Sequence, residues 1–183
     1  CWEYFPMWCW QDKNSDFVSV YHPLHSEVFE CFYGRLRNFA ENVHQIPMGE
    51  AVRFYLKNRG MGKNLVLGLV SDQSPRLTAD SYWHRFLNQD TIFNEGAELL
   101  AMKFHLPIFY AHITRLARGK YSLKLIEIYN GIDKVAPHEI NERYARILEK
   151  QIIDCPELWM WSHKRWKHTP EKQIRIFGEK CKK

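Results

Sequence analysis

Residues Val66 to Phe86 constrain the fold more than any other stretch of the chain. A run rich in valine and leucine drives into Asp72-Gln73, breaks at Ser74-Pro75, and opens into a polar segment that ends in an aromatic cluster. A short apolar run closed by a proline turn is the pattern of a buried parallel strand. In open α/β sheets, ligands collect at the carboxyl ends of such strands. Asp72 therefore stands where a carboxylate serves a site, or else its side chain caps the following turn.

The rest of the chain alternates strands with helices. Phe17 to Tyr21 alternates as a strand stopped by Pro23, after a polar turn at Asp12 to Asp16. Ser26 is a fitting N-cap, with Glu27 in the first turn. Val28, Phe29, Phe32, Tyr33, Leu36 and Phe39 then follow at helical spacing. A second helix is expected from Met48 to Asn58, closing at Gly60, and a strand from Asn64 to Ser71. Thr91 or Asn94 caps a helix running to Phe104, and Pro107 ends it. Ile108 to Thr114 and Tyr121 to Tyr129 read as a hairpin around Arg118-Gly119-Lys120. Pro137 to Ile153 is strongly amphipathic, with Ile140, Tyr144, Ile147, Leu148, Gln151 and Ile152 on one side. The expected class is α/β, with a mixed central sheet flanked by helices. The 183 residues are read as one domain with a core of ordinary size.

Charge separates the end of the chain from the rest. The net charge is +5, yet the segment from Trp159 onward holds eight Lys and Arg against two Glu, leaving the first 158 residues at −1. The tail at 159–183 is also rich in tryptophan. A basic stretch interleaved with Trp suits lipid or nucleic-acid phosphates, or is simply a solvated terminus. Five cysteines, an odd number with no Cys-x-x-Cys pair, argue for reduced thiols in an intracellular setting and against a zinc or disulfide framework. No apolar stretch reaches the ~20 residues that span a bilayer. An opening on Cys1 rather than Met, with no signal peptide, suggests a fragment.

Familiar catalytic motifs are few. There is no Gly-x-Ser-x-Gly elbow, and nine His include no His-x-x-x-His or His-Glu-x-x-His pair. Gly60-Met61-Gly62 lacks the spacing of a phosphate loop. Two carboxylates stand within or just after apolar runs, Glu3 and Asp72. A carboxylate in such a place is costly without a partner or a task. Arg35, Arg37, Arg59, Arg76 and Arg85 are available for anionic groups, although Arg35 and Arg37 also read as snorkelling surface residues.

A series of short motifs recurs in order along the chain: Trp2-Glu3, Tyr21-His22-Pro23-Leu24, Arg35-Leu36-Arg37, Asp72-Gln73-Ser74-Pro75, Phe86-Leu87-Asn88-Gln89-Asp90-Thr91, and Trp159-Met160-Trp161-Ser162-His163-Lys164-Arg165-Trp166. This series resembles the bacterial lipid A biosynthesis late acyltransferases, the lauroyl/myristoyl acyltransferase family, with a Bacteroidetes-like branch nearest. The likeness runs from Cys1 to His168. It implies a glycerolipid-acyltransferase-like fold. It also implies transfer of a fatty acyl chain from acyl carrier protein to a hydroxyl of a lipid A precursor, with no cofactor and no metal.

The family uses His-x-x-x-x-Glu/Asp, the His as general base and the carboxylate holding its tautomer. Glu3 matches that carboxylate. The matching His would lie five residues upstream of Glu3, outside the chain, and Cys1 stands where the family usually has Asn. The chain as given is therefore expected to be inactive or nearly so. The resemblance gives Arg35 or Arg37 to the acceptor phosphate, since Arg binds phosphate bidentately. It gives Asp72 and Gln73 to the acceptor site, and so moves the catalytic role from Asp72 to Glu3. His22 replaces the usual Arg, which removes an anion-binding group there. For the Trp residues of the tail, packing is favoured over interfacial contact.

Localisation at the cytoplasmic face of the inner membrane, with an anchor upstream, goes with this reading, and no nucleic-acid partner is expected. A sibling enzyme acting on a phospholipid or aminolipid would look the same. The competing class is a non-enzymatic basic module binding membrane or nucleic acid, whose binding would need only the tail and would fall steeply with salt.

Overall fold

Phe17, Val18 and Val20 are all buried, so the strand they form lies inside a sheet rather than at its rim. The computed structural model describes residues 4–178 and divides the chain into two compact units, Cys1–Val70 and Ser71–Lys183. In the first unit, β1 (Ser15–Tyr21) takes the centre of a three-stranded parallel sheet. β2 (Val43–Pro47) pairs with it on one side and β3 (Asn64–Leu69) on the other. The helices α1 (Tyr4–Cys9), α2 (Glu27–Arg37) and α3 (Ala51–Asn58) complete this unit. Phe5 meets Phe17 edge-on at 5.1 Å between ring centroids, and Cys9, Phe17 and Val43 form a small core.

The parallel strand expected at Val66 is present, but β3 lies at the edge of the sheet and Val66 is 38% exposed. The buried central strand is β1 instead. Two residues of the strand expected to reach Ser71 also fall outside it. Ser26 stands at the N-cap of α2 with extended backbone, yet its side chain makes no capping bond. None of the α2 residues is buried, and Val28, Phe29, Phe32 and Leu36 are exposed. α3 closes as expected, with Gly60 at φ +82° just after it.

Gly68 of β3 lies directly against the Phe17 ring. A Cβ there would stand 2.6 Å from the ring's Cζ, well inside contact distance. Because Phe17 is 2% exposed and fixed in the core, the ring has no free side to swing into. Gly68→Ala is expected to lower stability by about 1–3 kcal/mol, the usual cost of overpacking. Thermal denaturation checks this; an unshifted midpoint would show that the ring gives way freely.

Among the described residues the second unit holds two antiparallel hairpins and three α-helices. β4 (Trp83–Phe86) and β5 (Gln89–Ile92) form the first hairpin, and β6 (Ile108–Ala117) and β7 (Lys120–Tyr129) the second. The turn between β4 and β5 is only Leu87-Asn88, both at positive φ (47° and 61°). That is the turn geometry that matches the twist of paired strands. Thr91 belongs to β5. Asn94 accepts the Gly96 N–H at 2.9 Å just ahead of α4 (Gly96–Phe104). α5 (Glu139–Asp154) buries Ile140, Ala145, Leu148 and Ile152 in a core shared with Phe86, Phe93, Tyr110 and Ile128. Glu98, 3% exposed, caps its start by accepting from the backbone of His138 (2.6 Å) and Asn141 (2.9 Å).

The end of the chain is ordered rather than a bare tail. A helix not expected from the sequence, α6 (Pro170–Phe177), starts at Thr169, whose side chain caps Lys172. Its buried Gln173 accepts from the Trp83 indole at 2.6 Å. The same side chain donates to the carbonyls of Thr78, Ala79 and Ser81. The α/β class is as expected, with parallel and antiparallel strands both present but divided among three sheets.

Candidate functional site

The turn Asp72-Gln73-Ser74-Pro75 opens the second unit and is held there by the segment from Trp159 to Trp166. Ser74 donates its backbone N–H to Nε2 of His163 at 2.9 Å. Nε2 is therefore the acceptor, and a neutral His163 carries its proton on Nδ1. Two residues on, Arg165 is 2% exposed and donates through Nη2 to the Ile92 carbonyl at 2.7 Å. Its guanidinium lies 4.6 Å from the centre of the Phe93 ring. Trp166 donates its indole N–H to the Thr91 hydroxyl at 2.9 Å. Three of the motifs singled out in the sequence thus meet in one unit: the Asp72 turn, the β4–β5 hairpin and the Trp159–Trp166 segment.

Charge in this corner is set by burial. Burial pushes the Asp72 carboxyl up; its own backbone N–H, Arg165, His163 and the Gln73 N–H pull the other way, and burial wins. Burial also brings Arg165 down to about 10, against the opposing pull of Tyr144 and Asp72. It remains a cation at neutral pH. Nε and Nη1 of Arg165 have no hydrogen-bond partner among the described residues. Tyr110 and Tyr144 are both raised, by burial first and by Asp72 second. Tyr110 donates its hydroxyl to Gln151, which in turn donates to the Ile113 carbonyl at 3.1 Å. The result is a carboxylate whose ionised form is disfavoured, facing one buried cation and two phenols that stay protonated. Such a group suits hydrogen bonding to a polar ligand better than binding a metal, and no metal-holding cluster occurs among the described residues.

The other sequence candidates fall elsewhere. Glu3 lies outside the described residues. Arg35 and Arg37 stand in the last turn of α2, in the first unit. Arg37 lies over the Tyr33 ring at 4.9 Å. It also exerts a weaker pull on Tyr21 and Glu30. Tyr21 donates its hydroxyl to Glu30, which also accepts the Leu24 N–H at 3.0 Å. That bond pushes Tyr21 up to about 12 and holds Glu30 below the usual carboxylate range. The Tyr21-His22-Pro23-Leu24 and Arg35-Leu36-Arg37 motifs are therefore linked through Glu30. Arg35 and Gln73 are both exposed. Cys9 is buried and its thiol is pushed up to about 11, by burial and then by Asp12, which leaves no thiolate for nucleophilic work at neutral pH.

Sequence reasoning missed His163, Arg165, Tyr110 and Tyr144 as the groups that act on Asp72. The Trp159–Trp166 motif carried the only local signal. Trp159 and Trp166 pack against the core as expected. Trp161, by contrast, is 59% exposed, so packing does not account for it.

The family model described as bacterial lipid A biosynthesis acyltransferase matches residues 2–168. No curated protein matches the chain.

Proposed function

The chain belongs to the bacterial lipid A biosynthesis acyltransferase family, and from that we propose that it moves a fatty acyl chain from acyl carrier protein to a hydroxyl of a lipid A precursor. The family match across residues 2–168 carries this reading. The reaction takes place at the cytoplasmic face of the inner membrane, where acceptor and carrier protein meet. A general-base imidazole removes the acceptor's hydroxyl proton, and Glu3 keeps that ring in the accepting tautomer. The hydroxyl oxygen attacks the thioester carbonyl. The carbon–sulfur bond breaks, an ester forms, and the carrier thiol takes up the proton.

Arg35 and Arg37 bind acceptor phosphate. Asp72 and Gln73 hold the acceptor's polar head. Support for Asp72 comes from its burial and from the side chains turned toward it, since a group that costs stability is retained where it has work to do.

The test compares two proteins: the 183-residue chain, and the same chain expressed with any residues encoded ahead of Cys1. Each is incubated with acyl carrier protein bearing a fatty acyl group, with either a lipid A precursor or a phospholipid as acceptor. Mass spectrometry of the lipid product reads the outcome. The expected result is an acylated lipid A precursor, with the yields of the two proteins showing whether residues ahead of Cys1 are needed. Glu3→Ala in the longer protein should reduce turnover about 10²–10⁴-fold, the usual worth of general acid–base assistance. Full activity after that substitution would remove Glu3 from the mechanism. Acylation of the phospholipid alone would replace the acceptor.

A further inference from the structure

α2 is held from one side only. Glu30 accepts from the Tyr21 hydroxyl and from the Leu24 N–H, and Arg37 lies over the Tyr33 ring. At about 100° per residue, Glu30, Tyr33 and Arg37 share that side of the helix. The other side carries two stripes of residues spaced four apart. Val28, Phe32 and Leu36 form an apolar stripe and are 76%, 58% and 59% exposed. Glu27, Cys31 and Arg35 form a polar stripe beside it, and all three are exposed. These six side chains line one shallow groove. Among the described residues, the side chains of Glu27 and Arg35 make no ion pair or hydrogen bond. Turning a copy of the helix end for end exchanges its acidic end for its basic end. Two copies laid antiparallel therefore set Glu27 of each against Arg35 of the other, Cys31 against Cys31 at the midpoint, and apolar stripe on apolar stripe. A parallel pair would set like charge on like charge, which is disfavoured.

We propose that this face of α2 is a pairing surface for a second copy of the chain, in an antiparallel helix pair about a two-fold axis centred on Cys31 and Phe32. A two-fold contact needs one patch that is complementary to itself, and both stripes have that property. The apolar stripes supply the attraction, and the order of charges sets the direction. One helix face is small, below the ~1,200 Å² of stable interfaces. The pair is therefore expected to be weak, half formed at about 10–100 µM. Pairing engages Arg35 and leaves Arg37 on the other side of the helix. Under the acyl-transfer reading, the paired form thus offers acceptor phosphate one arginine rather than two. The pairing itself stands apart from that reading, and its test uses neither acyl donor nor acceptor.

Sedimentation velocity of the 183-residue chain at low salt, over a range of about 1 to 500 µM that brackets such a weak pair, is expected to show monomer and dimer in equilibrium. Glu27→Lys and Arg35→Glu should each weaken pairing about 10-fold, since two ion pairs become two like-charge contacts. The two variants mixed together should pair with each other as tightly as the parent does, as should the double variant with itself. In a parallel pair the single variants would be as tight as the parent. Cys31 is the exposed member of the three described free cysteines. A short bis-maleimide should join two copies through it, and Cys31→Ser should lose that product. A circular dichroism melt checks that each variant is folded. If a charge variant does not fold, the Cys31 cross-link decides. A parent that stays monomeric throughout would overturn the inference, as would single variants that pair as tightly as the parent or cross-linking undiminished in Cys31→Ser. So would a monomeric chain in which a long-chain detergent slows maleimide labelling of Cys31, which would give the face to an acyl chain. Acyl transfer by a chain that stays monomeric would leave the proposed function standing and remove the pairing alone.

Discussion

Arg165→Ala is expected to cost the second unit about 3–5 kcal/mol, the range found when one member of a buried charged set is removed. Three losses combine. The Ile92 carbonyl loses the donor it holds at 2.7 Å. The space beside Phe93, which the guanidinium fills at 4.6 Å, becomes a cavity. Asp72 loses an opposing charge in a place where burial already disfavours its ionised form. Arg165→Lys should recover little. An ammonium cannot lie flat over Phe93 while also presenting a fork to Ile92.

The deficit should also depend on pH, with a definite sign. The part due to Asp72 exists only while that carboxyl is ionised. It should shrink as pH falls and Asp72 takes up its proton, and return as pH rises. Thermal melts of parent and variant across the acidic range measure this difference. A midpoint within about two degrees of the parent at neutral pH corresponds to less than about 1 kcal/mol for a chain of this size, and would show that Arg165 holds nothing together.

How far the fold was legible depended on where each element finds its partners. α5 was readable because sixteen residues repeat a helical period and bury one face, Ile140, Ala145, Leu148 and Ile152. The β6–β7 hairpin was readable because its strands are long and share a glycine turn at Gly119, with φ +72°. The β4–β5 hairpin was not, since each strand has only four residues. Its support is remote: Glu149 accepts the Leu87 N–H at 2.6 Å, and Arg165 and Trp166 bind β5 from more than seventy residues away. The positive φ of Leu87 and Asn88 is seen only in the structure, and of the two only Asn88 is a residue type that favours it. β2 was missed because Val43-His44-Gln45-Ile46-Pro47 has no clean alternation and ends on proline, which suits a sheet edge.

The site was legible in the same uneven way. Asp72 could be singled out from an apolar run that ends in a proline turn. The residues that set its chemistry could not, because no local period connects it to His163 and Arg165. The period of α2 was visible in Val28, Phe29, Phe32 and Leu36, yet what such a face meets is not written in its spacing, and none of these residues is buried. In the Trp159–Trp166 segment, composition announced a basic aromatic stretch. Only the structure sorts it into inward His163, Arg165 and Trp166 and outward Met160, Trp161 and Lys164.

Asp72→Asn separates a supporting role in packing from a role in the acceptor site. The folded protein raises the Asp72 pKa above its ordinary value. Such a group contributes most to stability below its unfolded pKa, where it is protonated, and that contribution is lost as pH rises through the folded value. At neutral pH the ionised carboxylate is therefore a net cost, even with the attraction of Arg165 included. The amide has nearly the same shape and no charge. Asp72→Asn should raise the melting midpoint at pH 7 by a few degrees and leave little difference at acid pH, where the parent carboxyl is itself neutral. If Asp72 holds the acceptor, the same variant should lose acyl transfer by about 10²-fold while circular dichroism stays unchanged, the trade between stability and activity expected of a working residue. A variant that gains stability and keeps full turnover would take Asp72 out of the acceptor site. A variant that loses stability at pH 7 would instead show that the carboxylate is held by stronger partners than Arg165 and His163.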